Sequence, residues 1–139
     1  MNFNLTFRCL DARRLGAVKT QVNINNNSTI TSVTRDGDKL NVGFVFSSSF
    51  DPNIGIIRIE GDLTMEDAAE NLDKVLKEWE ASDRTRLPKE VAESVHNTIL
   101  SNCIVEASLM ARDVKLPMPV PLPQVNLKPD REYDTSYIR

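Results

Sequence analysis

Residue types that build catalytic and metal-binding sites are scarce in this chain of 139 residues. It contains one histidine, His96, and two cysteines, Cys9 and Cys103. Zinc sites built on paired histidines and Cys-Xaa-Xaa-Cys clusters are therefore excluded. The two cysteines lie far apart in apolar patterns, which favours two buried thiols over a disulfide.

Glycines are also few, and they are scattered. The five glycines stand at positions 16, 37, 43, 55 and 61, so the chain has neither a Gly-rich phosphate loop nor a Gly-Xaa-Ser-Xaa-Gly elbow. The acids of the first predicted helix share one helix face, which suits solvation better than cation binding. The sequence predicts no metal, no cofactor and no catalytic residue.

Long apolar runs and an excess of positive charge are missing as well. No apolar run approaches the roughly 20 residues that span a bilayer, and the first residues alternate in polarity, unlike a signal peptide. A net charge of -3 and a pI near 5.2 argue against nucleic acid as the main partner. The sequence predicts a cytoplasmic protein without membrane insertion.

Up to about residue 64, apolar and polar residues alternate, as they do in strands. The pattern places Phe3, Leu5, Phe7 and Cys9 together on one strand face. A later strand is predicted to end at a turn over residues 25–27, which are all asparagine. Further turns are predicted at 36–37, an Asp-Gly hairpin signal, and at 51–53. The stretch 54–60, apolar on both faces over part of its length, predicts a central or doubly covered strand of an antiparallel sheet.

After Gly61 the apolar period becomes helical. Thr64 is a predicted N-cap for a first helix over 65–81, and Pro88 precedes a second helix over 89–113. A helix of about 25 residues is nearly 40 Å long, and its apolar surface is wider than one stripe. This extra width predicts self-association through Ile99, Leu100, Cys103, Ile104 and Leu109.

The prolines at 117, 119, 121 and 123 predict an extended segment after the second helix. Residues 128–139 are charged and lack apolar periodicity, which predicts disorder. The predicted organisation is one domain over 1–127 followed by a tail over 128–139.

Two interpretations remain for the apolar sheet residues and the proline-rich segment. They either form core or leave open a groove that binds extended polypeptide. The residues predicted to line such a groove are Phe44, Phe46, Ile54, Ile56, Val120 and Leu122. His96 is either a boundary residue or, with Glu93, part of an enzyme site or small-molecule-binding site formed between subunits.

Three stretches resemble the SecB family of preprotein-export chaperones. They are GIIRIEG at 55–61, QVNIN at 21–25, and the long helix followed by PMPVPLPQVNL at 117–127. The likeness extends over roughly residues 18 to 127 and is that of a divergent, archaeal-type SecB-like protein. The chain departs from the family in its longer first helix and in a tail with too few apolar residues for a C-terminal helix.

The resemblance implies an α+β fold with a twisted four-stranded antiparallel sheet and two helices packed on one face. It also implies a dimer or a dimer of dimers, with the long helix at an interface. The family holds unfolded polypeptide without ATP, covalent chemistry or a cofactor. A role in export, a toxin-antitoxin chaperone, and a SecB-like fold used as a protein-interaction module all remain open.

Overall fold

A computed structural model describes residues 2–17 and 21–119. It confirms the predicted α+β fold: four antiparallel strands form one sheet in the order β1-β4-β3-β2, with two helices on one face. The elements are β1 (Asn2–Arg14), β2 (Asn23–Asp36), β3 (Lys39–Asp51), β4 (Gly55–Glu66), α1 (Ala69–Ala81) and α2 (Lys89–Asp113). The division into a domain over 1–127 and a disordered tail over 128–139 stays a prediction, since the tail lies outside the described residues.

Two predicted turns are confirmed. Asp36 pairs with Lys39 across a two-residue connection in which Gly37 adopts a φ of 62°. This left-handed conformation suits glycine, because it has no side chain to clash. The turn between β3 and β4 contains Asn53 at a φ of 49°, and β4 is a central strand, as its apolar composition predicts.

The predicted turn over 25–27 is wrong, because β2 runs through these three asparagines. Tertiary contacts explain why they tolerate a strand. The side-chain oxygen of Asn26 accepts a hydrogen bond of 2.6 Å from Ser48 Oγ, and its amide donates one of 2.9 Å to the carbonyl of Pro119. Asn26 thus provides a partner for Ser48, a fully buried polar side chain.

The predicted face of β1 is correct for three of its four residues. Phe3, Leu5 and Phe7 pair with every second residue of β4, but the register shifts between Phe7 and Cys9. A bulge inserts one extra residue and so moves every later side chain to the opposite face. Cys9 is therefore exposed, which corrects the prediction that both thiols are buried.

The predicted switch to helix at Thr64 is also wrong. β4 continues to Glu66, and α1 begins at Ala69, after the extended N-cap Ala68. Leu63 and Met65 alternate with polar residues on β4 and are fully buried, so the strand period extends two residues further than the sequence pattern suggested.

Helix α2 has the predicted bounds and lies across the sheet, contacting all four strands. The residues that it buries recur at every fourth position, so the contact stripe winds around the helix. They are Val91, Val95, Ile99, Cys103, Ala107 and Ala111.

The two faces of the sheet differ in polarity. The face under the helices carries the core, including Phe44, Phe46, Ile57 and Ile59. The opposite face carries exposed and half-buried polar side chains, among them the ion pair Arg58–Glu60 at 3.2 Å.

Candidate functional site

A groove runs along the outer edge of β2, between this strand and the region that connects α1 to α2. It consists of a cavity of about 530 Å³ beside Ser28, Thr29 and Ile30, and a cavity of about 210 Å³ beside residues 31–34. We call the two together the β2 groove. Its seven strand residues correspond to about 23 Å at about 3.3 Å per residue.

The wall opposite β2 comes from three segments of the chain. Around the wide cavity it is formed by Glu78, Thr85, Arg86, Leu87, Lys89, Ala92 and His96. Around the narrow cavity it is formed by Trp79, Glu80 and Arg84. The groove thus combines aliphatic and aromatic surface with hydroxyl and charged groups.

The strand that borders the groove is an edge strand without charge over most of its length. β2 is last in the strand order, and no described strand pairs with its outer side. Residues 23–34 contain neither a charged residue nor a proline. Proteins usually protect sheet edges with both, because unpaired backbone groups attract other strands. The other edge strand, β1, does carry charges, including Arg8, Asp11 and Arg13.

His96 lies in the wide cavity and is joined to β2. Its Nδ1 is 2.5 Å from Ser28 Oγ, and both side chains are partly buried. The hydroxyl can donate to an unprotonated Nδ1 or accept from a protonated one. This bond fixes the imidazole against the strand. Glu93, which the sequence grouped with His96, is exposed and does not line the cavity.

The wide cavity carries more positive than negative charge. Arg86 and Lys89 face one acid, Glu78. Neither cation takes part in an ion pair with another described residue. Both side chains are therefore available to an anionic group that enters the cavity.

Three of the predicted polypeptide-binding residues are inaccessible. Phe44, Phe46 and Ile54 are fully or almost fully buried between the sheet and the helices. For these residues the structure favours the core interpretation, because each would have to leave the core to contact a client.

Ile56 lies on the opposite face of the sheet, where it is 39% exposed among polar neighbours. Its partners across the sheet are Arg13 and Ser49. The structure does not bring it together with the three buried residues. Val120 and Leu122 lie outside the described residues, so their place in a groove stays a prediction.

The predicted interface residues of α2 fall into two groups. Ile99 and Cys103 are fully buried against the chain's own core, and burial raises the pKa of the Cys103 thiol to about 12. Leu100 and Ile104 are half-buried, and Leu109 is 45% exposed. Val105, which the sequence analysis did not select for the interface, is 62% exposed.

Asp67, just before the start of α1, is hydrogen-bonded to residues at the helix N-terminus. The carboxylate of Asp67 accepts hydrogen bonds from the Ala68 backbone N–H at 2.7 Å and from the Asn71 amide at 3.2 Å. These bonds hold the pKa of Asp67 below its usual value, the backbone bond most strongly. Within residues 2–17 and 21–119, no cluster of three His, Cys, Asp or Glu side chains could hold a metal ion.

The β2 groove could not be predicted from a local pattern, because its walls are about 45 or more positions apart in the chain. One signal was present. The uncharged, proline-free stretch 23–34 would mark an unprotected edge once β2 was known to be an edge strand.

Comparisons with known proteins identify the fold. No protein-family model matches the sequence, and no curated protein matches it significantly. Among solved structures, the chain is similar to the SecB-like chaperone Rv1957 of Mycobacterium tuberculosis, solved in complex with a ChAD peptide from the antitoxin HigA1 (Rv1956). The TM-score is 0.58 and the sequence identity 12%, over 88% of this chain and 87% of the other. The chain has a SecB-like fold. No helix among its described residues is long and apolar enough to cross a membrane.

Proposed function

We propose that this protein binds unfolded or extended polypeptide without ATP and without chemical change, as a holding chaperone. The β2 groove is the observation that carries this proposal. It is open to solvent, about seven strand residues long, and lined by both apolar and hydrogen-bonding groups. An extended chain fits a groove of this length, and its backbone finds partners whatever its sequence.

The structural neighbour adds support of a different kind. That chaperone was solved with a peptide bound, and its fold is shared over most of this chain. Because fold alone does not determine function, the groove rather than the likeness has to supply the binding residues here.

Self-association through α2 is the second part of the proposal. Val105 and Leu109 are exposed on α2 while Cys103 and Ala107 are buried beneath it, so the two aliphatic side chains point away from the sheet. Leu100 and Ile104 flank them and are half-buried. A second copy that packs on these four residues would form a dimer, and a dimer of dimers would need one further interface.

The holding function is tested by aggregation of a chemically denatured client after dilution. We expect a stoichiometric amount of the protein to suppress light scattering to the same extent with and without ATP. An equal mass of a folded, inert protein is the control. Unchanged scattering of several clients, at concentrations where the assembly is intact, would contradict the proposal.

Self-association is tested by charge insertion into the exposed aliphatic patch. The variant Val105→Glu/Leu109→Glu is expected to sediment as a monomer at concentrations where the parent associates, because desolvating two carboxylates opposes packing. Asn97→Glu, at an exposed polar position on the same helix, is the matched control and should leave the mass unchanged. An unchanged mass for the double variant would show that another surface forms the assembly.

The hydrogen bond between Ser28 and His96 favours one alternative function. A hydroxyl held against an imidazole in a cavity of about 530 Å³ could bind or act on a small molecule. Under this alternative, His96→Ala and Ser28→Ala would each abolish ligand binding or turnover. Retention of ligand binding in both variants would count against it.

Two client classes fit a holding function of this kind: export precursors and, by analogy with the neighbour, antitoxins. Val120 and Leu122 remain proposed contacts for either class, or for a partner that docks on the proline-rich segment. The full-length variant Val120→Asp/Leu122→Asp is expected to reduce client or partner capture if these contacts are made, with native-like far-UV circular dichroism as the control.

A further inference from the structure

The outer side of β2 presents a row of backbone N–H and C=O groups with which an added extended chain can pair one after another. Every second residue of an edge strand turns its N–H and C=O away from the sheet. Residues 28–34 line the β2 groove, and the strand has no charge or proline there to repel an added strand. The bulge opposite Gly43 lies within this stretch and sets where regular pairing can begin.

The wide cavity of the β2 groove carries more positive than negative side chains. Arg86 and Lys89 line the cavity beside Ser28, Thr29 and Ile30, and Glu78 offsets only one of them. In the narrow cavity, Glu80 and Arg84 balance each other. A segment that pairs with β2 would therefore gain most from an acidic side chain at the wide end.

On the basis of the proposed holding function, we infer that the client is held by strand addition to β2, with one of its acidic side chains placed against Arg86 and Lys89. The occupant is an extended polypeptide segment whose backbone pairs with residues 28–34. Its apolar side chains lie against Ile30, Leu87 and Ala92. Backbone pairing makes the site tolerant of sequence, and the two cations make it selective for charge.

The test uses the full-length protein and a ten-residue, dye-labelled peptide of alternating threonine and valine with a central glutamate. A second peptide has lysine in place of the glutamate, and a third is the glutamate peptide N-methylated at alternate residues. Fluorescence anisotropy is expected to show binding of the glutamate peptide about tenfold tighter than that of either other peptide. Methylation removes backbone donors without changing charge, so it isolates strand pairing.

Two variants locate the site. Arg86→Glu/Lys89→Glu is expected to reverse the preference between the glutamate and lysine peptides. Thr29→Glu places an acid in the wide cavity beside Arg86 and Lys89 and is expected to weaken binding of the glutamate peptide about tenfold. Asn25→Glu, exposed on the same strand but outside the groove, is the matched control and should bind normally.

The outcomes separate this inference from the proposed function. Equal binding of the methylated peptide, or an unchanged charge preference in the double variant, would overturn the inference. If denatured client is held but the peptides do not compete with it, the holding function stands and strand addition at β2 is refuted. If neither client nor peptide binds, both are refuted.

Discussion

Gly61 is a position where a single added methyl group would disturb the packing of this fold. It lies in the central strand β4, opposite Phe44 on one side and Phe7 on the other. A Cβ atom built at Gly61 would be 2.7 Å from Phe44 Cζ and would also collide with the backbone carbonyl of Thr6. The absence of a side chain therefore makes room for the ring of Phe44.

The stability expected to be lost in Gly61→Ala depends on whether the atoms around Gly61 can move away from the added methyl group. Overpacking a core typically costs about 1–3 kcal/mol. Phe44 is fully buried, and the carbonyl of Thr6 belongs to the strand paired with β4, so neither neighbour can shift freely. We expect a loss near the upper end, about 3 kcal/mol in the free energy of unfolding, or a fall in Tm of about 10 °C.

The measurement is urea denaturation followed by circular dichroism, with Gly43→Ala as the matched control. Gly43 lies one register position away on β3, but its added Cβ would meet the hydroxyls of Ser32 and Thr31, at 2.5 and 2.9 Å. Side-chain hydroxyls can rotate away, so this variant should lose less than about 1 kcal/mol. A loss below about 0.5 kcal/mol for Gly61→Ala would refute the packing argument.

The remaining predictions concern the cysteines and Asp67. In the folded protein a maleimide should modify exposed Cys9 and leave buried Cys103 unmodified, as read by mass spectrometry with and without urea; modification of both thiols without urea would contradict the burial. Burial raises the pKa of Cys103 from 9.0 to about 12, so the folded state keeps the thiol proton to higher pH than the unfolded state does. The free energy of unfolding should therefore decline between pH 9.0 and about 12, and it should decline less in Cys103→Ala. Folding lowers the pKa of Asp67, so its ionised carboxylate stabilises the fold above pH 3.8, and this contribution is lost as the pH falls. Asp67→Ala should therefore flatten the acid side of a Tm-against-pH profile, and an unchanged profile would refute this.

Local interactions explain which parts of the fold can be predicted from sequence. The hairpin at 36–39 depends on Gly37 adopting a positive φ, and α2 begins directly after Pro88, which is suited to a helix start. Both signals act within a few residues, and both predictions are confirmed. The alternation that predicted the strands of an antiparallel sheet is equally local, because successive side chains of a strand point to opposite faces.

In two of the wrong predictions a distant residue decides. Asn26 lies in a strand rather than a turn because Ser48 and Pro119 bond to its side chain. Cys9 is exposed because a bulge against β4 shifts the register after Phe7. Neither contact leaves a trace in the local pattern.

By itself, the sequence determined the order of strands and helices, the sheet class, and the exclusion of zinc-histidine and phosphate-loop chemistry. Only the tertiary structure decided what each apolar residue does. Phe44 and Ile56 are both predicted to line one groove, yet Phe44 is fully buried and Ile56 is 39% exposed on the opposite face of the sheet. The β2 groove, too, exists only in three dimensions, because packing brings residues 28–34 opposite residues 78–96. Periodicity fixes the face of an element on which a residue lies, whereas the neighbour that covers that face comes from elsewhere in the chain.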